Sequence, residues 1–169
     1  MFHNKIEDGK IMIDQLGNSI FFFLKAFFFG LATVIVIPRD VYKRYFIYGF
    51  IFGAIGDVIV VTILGPVLHL IKYKNMGVFN IFGIVSFWTP IAWMFAFMLF
   101  FYFLPVRRIF LYPYIVGFAF YGYMVGIVLE HLNLYEYIGS YVHFAPLLFM
   151  VWFYIGALVY LRNGNIILR

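Results

Sequence analysis

Apolar side chains run along this chain in long uninterrupted stretches, with polar ones gathered in short clusters between them. The hydrocarbon layer of a bilayer is about 30 Å thick and is crossed by about 20 apolar residues in a helix. Five stretches reach that length, over residues 20–37, 45–68, 84–104, 109–129 and 142–161. Pro38 with Arg39, Asp40, Lys43 and Arg44 closes the first, and a polar run over residues 69–75 closes the second. Pro105 with Arg107 and Arg108 ends the third, and Arg162, Asn163 and Gly164 end the fifth. Membrane strands alternate apolar and polar positions over about ten residues, whereas these runs are apolar on every face. The pattern predicts an all-α integral membrane protein, a bundle of five transmembrane helices over residues 20–162.

Three segments lie outside that frame. Residues 1–19 mix Ile11, Met12, Ile13 and Leu16 with Lys5, Glu7, Asp8, Lys10 and Asp14, which suits an amphipathic helix in the membrane interface. Three acids ahead of the apolar run and the lack of a small-residue cleavage site argue against a signal peptide. Residues 76–83 are apolar enough to extend the third span, lie in the interface or re-enter the membrane, and residues 163–169 form a tail.

Composition strengthens the membrane reading. Of 169 residues, 66% are hydrophobic and 24% aromatic, and only 11% are charged. Soluble domains carry about 25% charged residues, so this chain has too little polar surface to enclose a core in water. The absence of cysteine removes disulfides, thiolate nucleophiles and thiolate metal sites. The net charge of +5 reflects basic loops that face the cytoplasm and anionic headgroups, and no soluble basic face suggests nucleic acid as a partner. Arg39, Lys43, Arg44, Arg107, Arg108, Arg162 and Arg169 fall on one side of the predicted bundle. Lys5, Lys10, Lys72 and Lys74 fall on the other, so the N-terminus is expected outside and the C-terminus in the cytoplasm.

The sharpest local pattern is Gly49, Gly53 and Asp57 at four-residue spacing in the second span, repeated as Gly122, Gly126 and Glu130 in the fourth. Residues four apart share a helix face, so each helix presents helix-packing glycines followed by a carboxylate. Asp57 lies about 18 Å into its span, near the midplane, where an acid costs roughly 2.5–3.5 kcal/mol on insertion scales. It is expected to face the bundle interior, either as a proton or cation site or as an interhelical hydrogen-bonding group with Ser86, Thr89 or a tyrosine. Lys25 is expected to snorkel to the outer headgroups, with a pair to Asp57 or Glu130 as the alternative. Pro90 is expected to free a carbonyl in mid-span.

His69, Glu130, His131, Glu136 and His143 are expected at the outer boundary, as a vestibule or as residues meeting water and headgroups. They include no His-Glu-x-x-His pattern, and Glu130 and His131 point about 100° apart on a helix, so no metal site is predicted. No catalytic motif and no cofactor motif stands out.

Several short motifs are similar to those of an uncharacterised family of small multi-pass membrane proteins from spore-forming Firmicutes. They are Pro38-Arg39-Asp40, Leu70-Ile71-Lys72-Tyr73, Leu104-Pro105, Val128-Leu129-Glu130-His131 and Tyr135-Glu136-Tyr137-Ile138, and the resemblance spans residues 31–162. Tyr141, His143 and Phe144 stand where that family has a tryptophan-rich start to its last helix. The resemblance implies a several-helix bundle in a bacterial cell membrane and adds no activity.

Small size and glycine-lined faces favour a non-catalytic subunit that packs in the lipid bilayer against copies of itself, as a homo-oligomer, or against other membrane-protein subunits. The alternative is a small transporter or channel for a proton, cation or small solute that uses Asp57 within the membrane, with Glu130 at the mouth. A membrane-embedded enzyme acting on lipid ranks third.

Overall fold

A computed structural model describes residues 20–77 and 79–164. The amphipathic segment expected over residues 1–19 and residues 165–169 of the tail lie outside the described residues. The chain is mostly helical. Its five helices are α1 (Ile20–Val36), α2 (Arg39–Val67), α3 (Trp88–Tyr102), α4 (Arg108–His131) and α5 (Tyr141–Asn163). Four short strands join them: β1 (Ile71–Tyr73), β2 (Asn80–Ile81), β3 (Val85–Ser86) and β4 (Tyr135–Tyr137).

Three helices, α2, α4 and α5, are long and apolar enough to cross a membrane. Only 28%, 28% and 33% of the residues in their apolar windows are buried within the protein. Many of the others are exposed, as are Phe28, Ile35, Phe110 and Leu147, and an outer surface of this kind is stable in lipid rather than water.

Several boundaries differ from the sequence expectation. α2 starts at Arg39 rather than at residue 45, because Pro38 holds an extended conformation that launches a helix and Asp40 sits favourably in the first turn. α3 starts at Trp88 rather than at residue 84. The apolar residues before it pair instead as β2 and β3, with Asn80 opposite Ser86 and Ile81 opposite Val85. Residues 80–86 are therefore a hairpin, neither an extension of a span nor a re-entrant helix, and Phe82 at its tip is 95% exposed. Pro90 falls in the first turn of α3, where a missing N–H leaves no helical bond unmade, so it frees no carbonyl in mid-helix.

The second ribbon pairs β1 with β4 in antiparallel register, Ile71 opposite Tyr137 and Tyr73 opposite Tyr135. Bonds from Lys74 N to Leu134 O and from Ile138 N to Leu70 O, each 2.9 Å, extend it at both ends. It ties the segment leaving α2 to the segment joining α4 and α5, and Phe22 of α1 packs against Tyr73 beneath it. At the opposite, basic end, the Thr33 and Tyr42 hydroxyls lie 3.0 Å apart across the α1–α2 joint.

Between the two ends the core changes character. The half toward the basic end is a block of rings from α3 and α5, including Phe97, Phe100, Phe101 and Phe153. Phe97 and Phe153 stack with centroids 4.7 Å apart, and the Tyr114 hydroxyl donates to the Phe100 carbonyl at 2.8 Å near the end of α3. The half toward the β1–β4 ribbon is built from smaller aliphatic residues, among them Val61, Leu64, Leu129 and Ala145.

Candidate functional site

The site begins with the winding of α2. Gly49, Gly53, Asp57 and Val61 recur every four residues and all are buried. At 3.6 residues per turn each such step over-rotates by about 40°, so three steps would swing the last residue about 120° from the first. The segment Phe50–Ile55 is wound as a π-helix, whose wider turn takes up extra residues and cancels part of that drift. A second π segment, Ile63–Val67, contains Pro66, which has no N–H to give to the α-helical ladder. The Trp152 indole on α5 donates to the Phe52 carbonyl at 3.1 Å within the first π segment.

This winding keeps the two glycines against α3. A Cβ at Gly49 would lie 2.6 Å from the Met94 carbonyl oxygen and 2.5 Å from Met98 Cγ, and one at Gly53 would strike the Trp93 carbonyl and the Met94 backbone. The pairing of residue 49 with 98 and of 53 with 94 is antiparallel. One further turn along α2 brings Asp57 level with the start of α3.

Asp57 is 2% exposed, and its Oδ2 has no hydrogen-bond partner. It lines a cavity of about 40 Å³ together with Lys25 of α1, Trp93 of α3, Gly126 of α4 and Trp152 of α5. Lys25 does not follow its own helix toward the headgroups. Its ammonium lies 5.8 Å from the centroid of the Trp93 ring, a cation–π contact inside the bundle, and it is close enough to Asp57 for the two charges to interact. Ser86 Oγ and Thr89 Oγ1, expected as hydrogen-bond partners of Asp57, are buried without partners of their own.

The cavity is roofed by tyrosines that were not among the expected site residues. Tyr73 of β1 and Tyr135 and Tyr137 of β4 line it, with Tyr73 to Tyr135 at 5.0 Å and Tyr135 to Tyr137 at 4.8 Å between ring centroids. Burial first, and the Asp57 charge second, hold the Tyr73 phenol well above its ordinary 10.0, so it stays a protonated hydroxyl. Burial does the same for Tyr135 and Tyr137. The alternation in Tyr135-Glu136-Tyr137 and Ile71-Lys72-Tyr73 was the available signal, since a period of two places alternate side chains on one face of a strand.

The remaining candidates separate. Gly122 packs under the Phe149 ring, and Gly126 leaves the space that the Tyr137 hydroxyl fills, so both are occupied by the chain's own residues. Glu130 Oε1 accepts from the Tyr137 N–H at 3.2 Å and anchors β4 to the end of α4. Glu136 pairs with Lys74 across the ribbon at 2.8 Å, and that hydrogen bond holds its carboxyl below the ordinary 4.5. His69 is exposed, with a left-handed backbone at φ 52°, and lines a separate open groove beside Pro66. The His131 ring bonds to the Ile127 carbonyl at 2.8 Å, and His143 is exposed at the start of α5. Among the described residues, no group of three or more His, Asp or Glu side chains is placed to hold a metal ion.

A helical bundle clad in apolar side chains, with three helices able to cross a bilayer, defines a helical membrane protein. No protein-family model, curated protein or solved structure matches the chain.

Proposed function

We propose that the protein crosses the bilayer five times and handles a proton or small cation at Asp57, as a small transporter or channel. The observation that carries this reading is a carboxylate 2% exposed, with one oxygen unpartnered, lining an internal cavity beside Lys25. A charge in that position is expensive in a membrane and marks ion and proton pathways.

The competing reading, a packing subunit, rests on the small size of the chain and on glycine faces free to receive other helices. Gly49 and Gly53 are closed by α3, Gly122 by Phe149 and Gly126 by Tyr137, so none of the four offers an open groove to a partner. Six described basic residues, Arg39, Lys43, Arg44, Arg107, Arg108 and Arg162, belong to the end away from the ribbon, against Lys72 and Lys74 at the ribbon end. That asymmetry supports a cytoplasmic basic end and an outer ribbon end. The resemblance of the loop motifs supports a bacterial cell membrane.

The test is reconstitution in liposomes, with proton, sodium and rubidium fluxes measured for the natural chain and for Asp57→Asn. Loss of flux in a variant that still elutes as a folded, monodisperse protein supports the reading. A natural chain without flux, or a variant that conducts equally well, overturns it.

A further inference from the structure

Resting on the proposed reading of Asp57, we infer that the species exchanged at this site is a proton carried by water, and that it reaches Asp57 from the β1–β4 ribbon end alone.

The size of the cavity bears on the first half. A buried water needs about 10–15 Å³ measured with a water-sized probe, so about 40 Å³ holds about three waters. A bare cation would need several oxygen ligands. Asp57 is the one carboxylate lining the cavity, and the Lys25 ammonium already supplies the positive charge beside it. A proton is held by a covalent O–H bond to the carboxylate and needs no further ligands. The titratable groups facing Asp57 are Lys25 from α1, Tyr73 from β1, Tyr135 and Tyr137 from β4 and Tyr141 from α5, while α3 and α4 contribute none. Four of these five are phenols, which donate and accept hydrogen bonds and so can pass a proton between waters.

The position of the cavity bears on the second half. Most of its walls belong to the ribbon half of the bundle, through Leu64, Ile71, Leu129 and Ala145, while Trp93, Phe149 and Trp152 close it toward the ring block. Toward the basic end the path meets Phe97, Phe100, Phe101 and Phe153, each at most 1% exposed, and the close contact of Gly49 and Gly53 with α3. The hydroxyls of Tyr114 and Tyr160 beside that block are bonded to the Phe100 carbonyl and to the Tyr45 hydroxyl and do not line the cavity. The step itself is balanced: hydronium in the cavity gives its proton to Asp57 Oδ2, forming an O–H bond and leaving water, and release reverses it.

The experiment uses the full chain, oriented in sealed vesicles, with the pH stepped on one side at a time. Protonation of Asp57 is read as the carboxylic C=O band in infrared difference spectra, assigned by its loss in Asp57→Asn. Acidifying the ribbon side is expected to raise the band at least tenfold faster than acidifying the basic side. Tyr137→Phe, which keeps the ring and removes the hydroxyl, is expected to slow it severalfold and confirms the route without touching Asp57. Equal response from both sides overturns the one-sided route. Sodium or rubidium flux that depends on Asp57 overturns the proton assignment and leaves the proposed function standing. The absence of any protonation band together with the absence of any flux defeats both.

Discussion

Lys25 and Asp57 line one cavity from α1 and α2 without closing a direct ion pair. The ammonium rests over the Trp93 ring at 5.8 Å, and the carboxylate keeps an oxygen unpartnered. Among the described residues, the pair in direct contact is the exposed one, Lys74 with Glu136. The two groups thus share one cavity without a direct hydrogen bond between them. A closed pair at hydrogen-bond distance would instead lock both groups.

The α2–α3 contact gives the first prediction. Gly53→Ala places a methyl group against the Trp93 carbonyl and the Met94 backbone, which cannot swing aside as a side chain can. The helices must separate, and a cost of about 1–3 kcal/mol is expected from overpacking. Gly117→Ala is the control, because a Cβ there meets nothing within 4 Å. Gly122→Ala is expected to fall between them, since the Phe149 ring can shift. Denaturation of the three variants in mixed micelles ranks them, and a Gly53→Ala protein as stable as Gly117→Ala contradicts the packing described.

Trp152→Phe tests the π segment. The change keeps an aromatic ring of smaller size and removes the indole N–H that serves the Phe52 carbonyl. The expected loss is about 1 kcal/mol, the net worth of a hydrogen bond to a half-buried acceptor. The isotope-edited amide I band of Phe52 is expected to move to higher frequency as its carbonyl loses the bond. An unchanged band means that the carbonyl has another donor.

The ribbon is expected to weaken in acid. The Lys74 hydrogen bond sets the folded Glu136 carboxyl below its ordinary 4.5, so the stabilisation is present above that value and is lost as the pH falls through the lower folded one. The pair is exposed, so the effect is small and salt-screened. Hydrogen exchange at Lys74 and Ile138, whose amides extend the ribbon, is expected to rise in protection-corrected rate below pH of about 4.5 in the natural chain. Glu136→Gln is expected to remove that pH dependence. Equal pH dependence in both proteins overturns the assignment.

How far the amino-acid sequence discloses this site differs from residue to residue. The spacing of Gly49, Gly53 and Asp57 was visible, because a four-residue repeat is a property of one helix. The π winding that keeps those residues on one face was not, since it depends on the contacts α2 makes with α3 and α5. β1 and β4 are three residues each and pair over a long stretch of chain, Ile71 with Tyr137 and Tyr73 with Tyr135, so neither carries a strong signal alone. Hydropathy does not distinguish the buried strand residues Val85 and Ser86 from the start of a helix, and the third span was therefore begun too early. Lys25 was expected at the headgroups because depth along its own helix was the only guide. Its position follows from Trp93 on a different helix. Phe22 makes the same point, being fully buried between Phe21 and Phe23, which face outward.

The relation between Lys25 and Asp57 is itself open to a double-mutant cycle. Removing one charge leaves the other buried without compensation, and such single changes cost about 3–5 kcal/mol in buried pairs, whereas removing both often costs little. Lys25→Met and Asp57→Asn are close in shape to the natural residues, so each removes charge with little change of volume. The double variant is therefore expected to be more stable than the sum of the single effects allows, with a coupling of about 0.5–3 kcal/mol. Chemical denaturation in mixed micelles measures all four proteins. The cavity separates this expectation from a trivial one: if Lys25 merely rested on Trp93 and ignored the acid, the two changes would add. Trp93→Leu completes the cycle, because it removes the ring beneath the ammonium and leaves both charges in place. Coupling that persists in the Trp93→Leu background belongs to the charges, and coupling that vanishes there belongs to the ring.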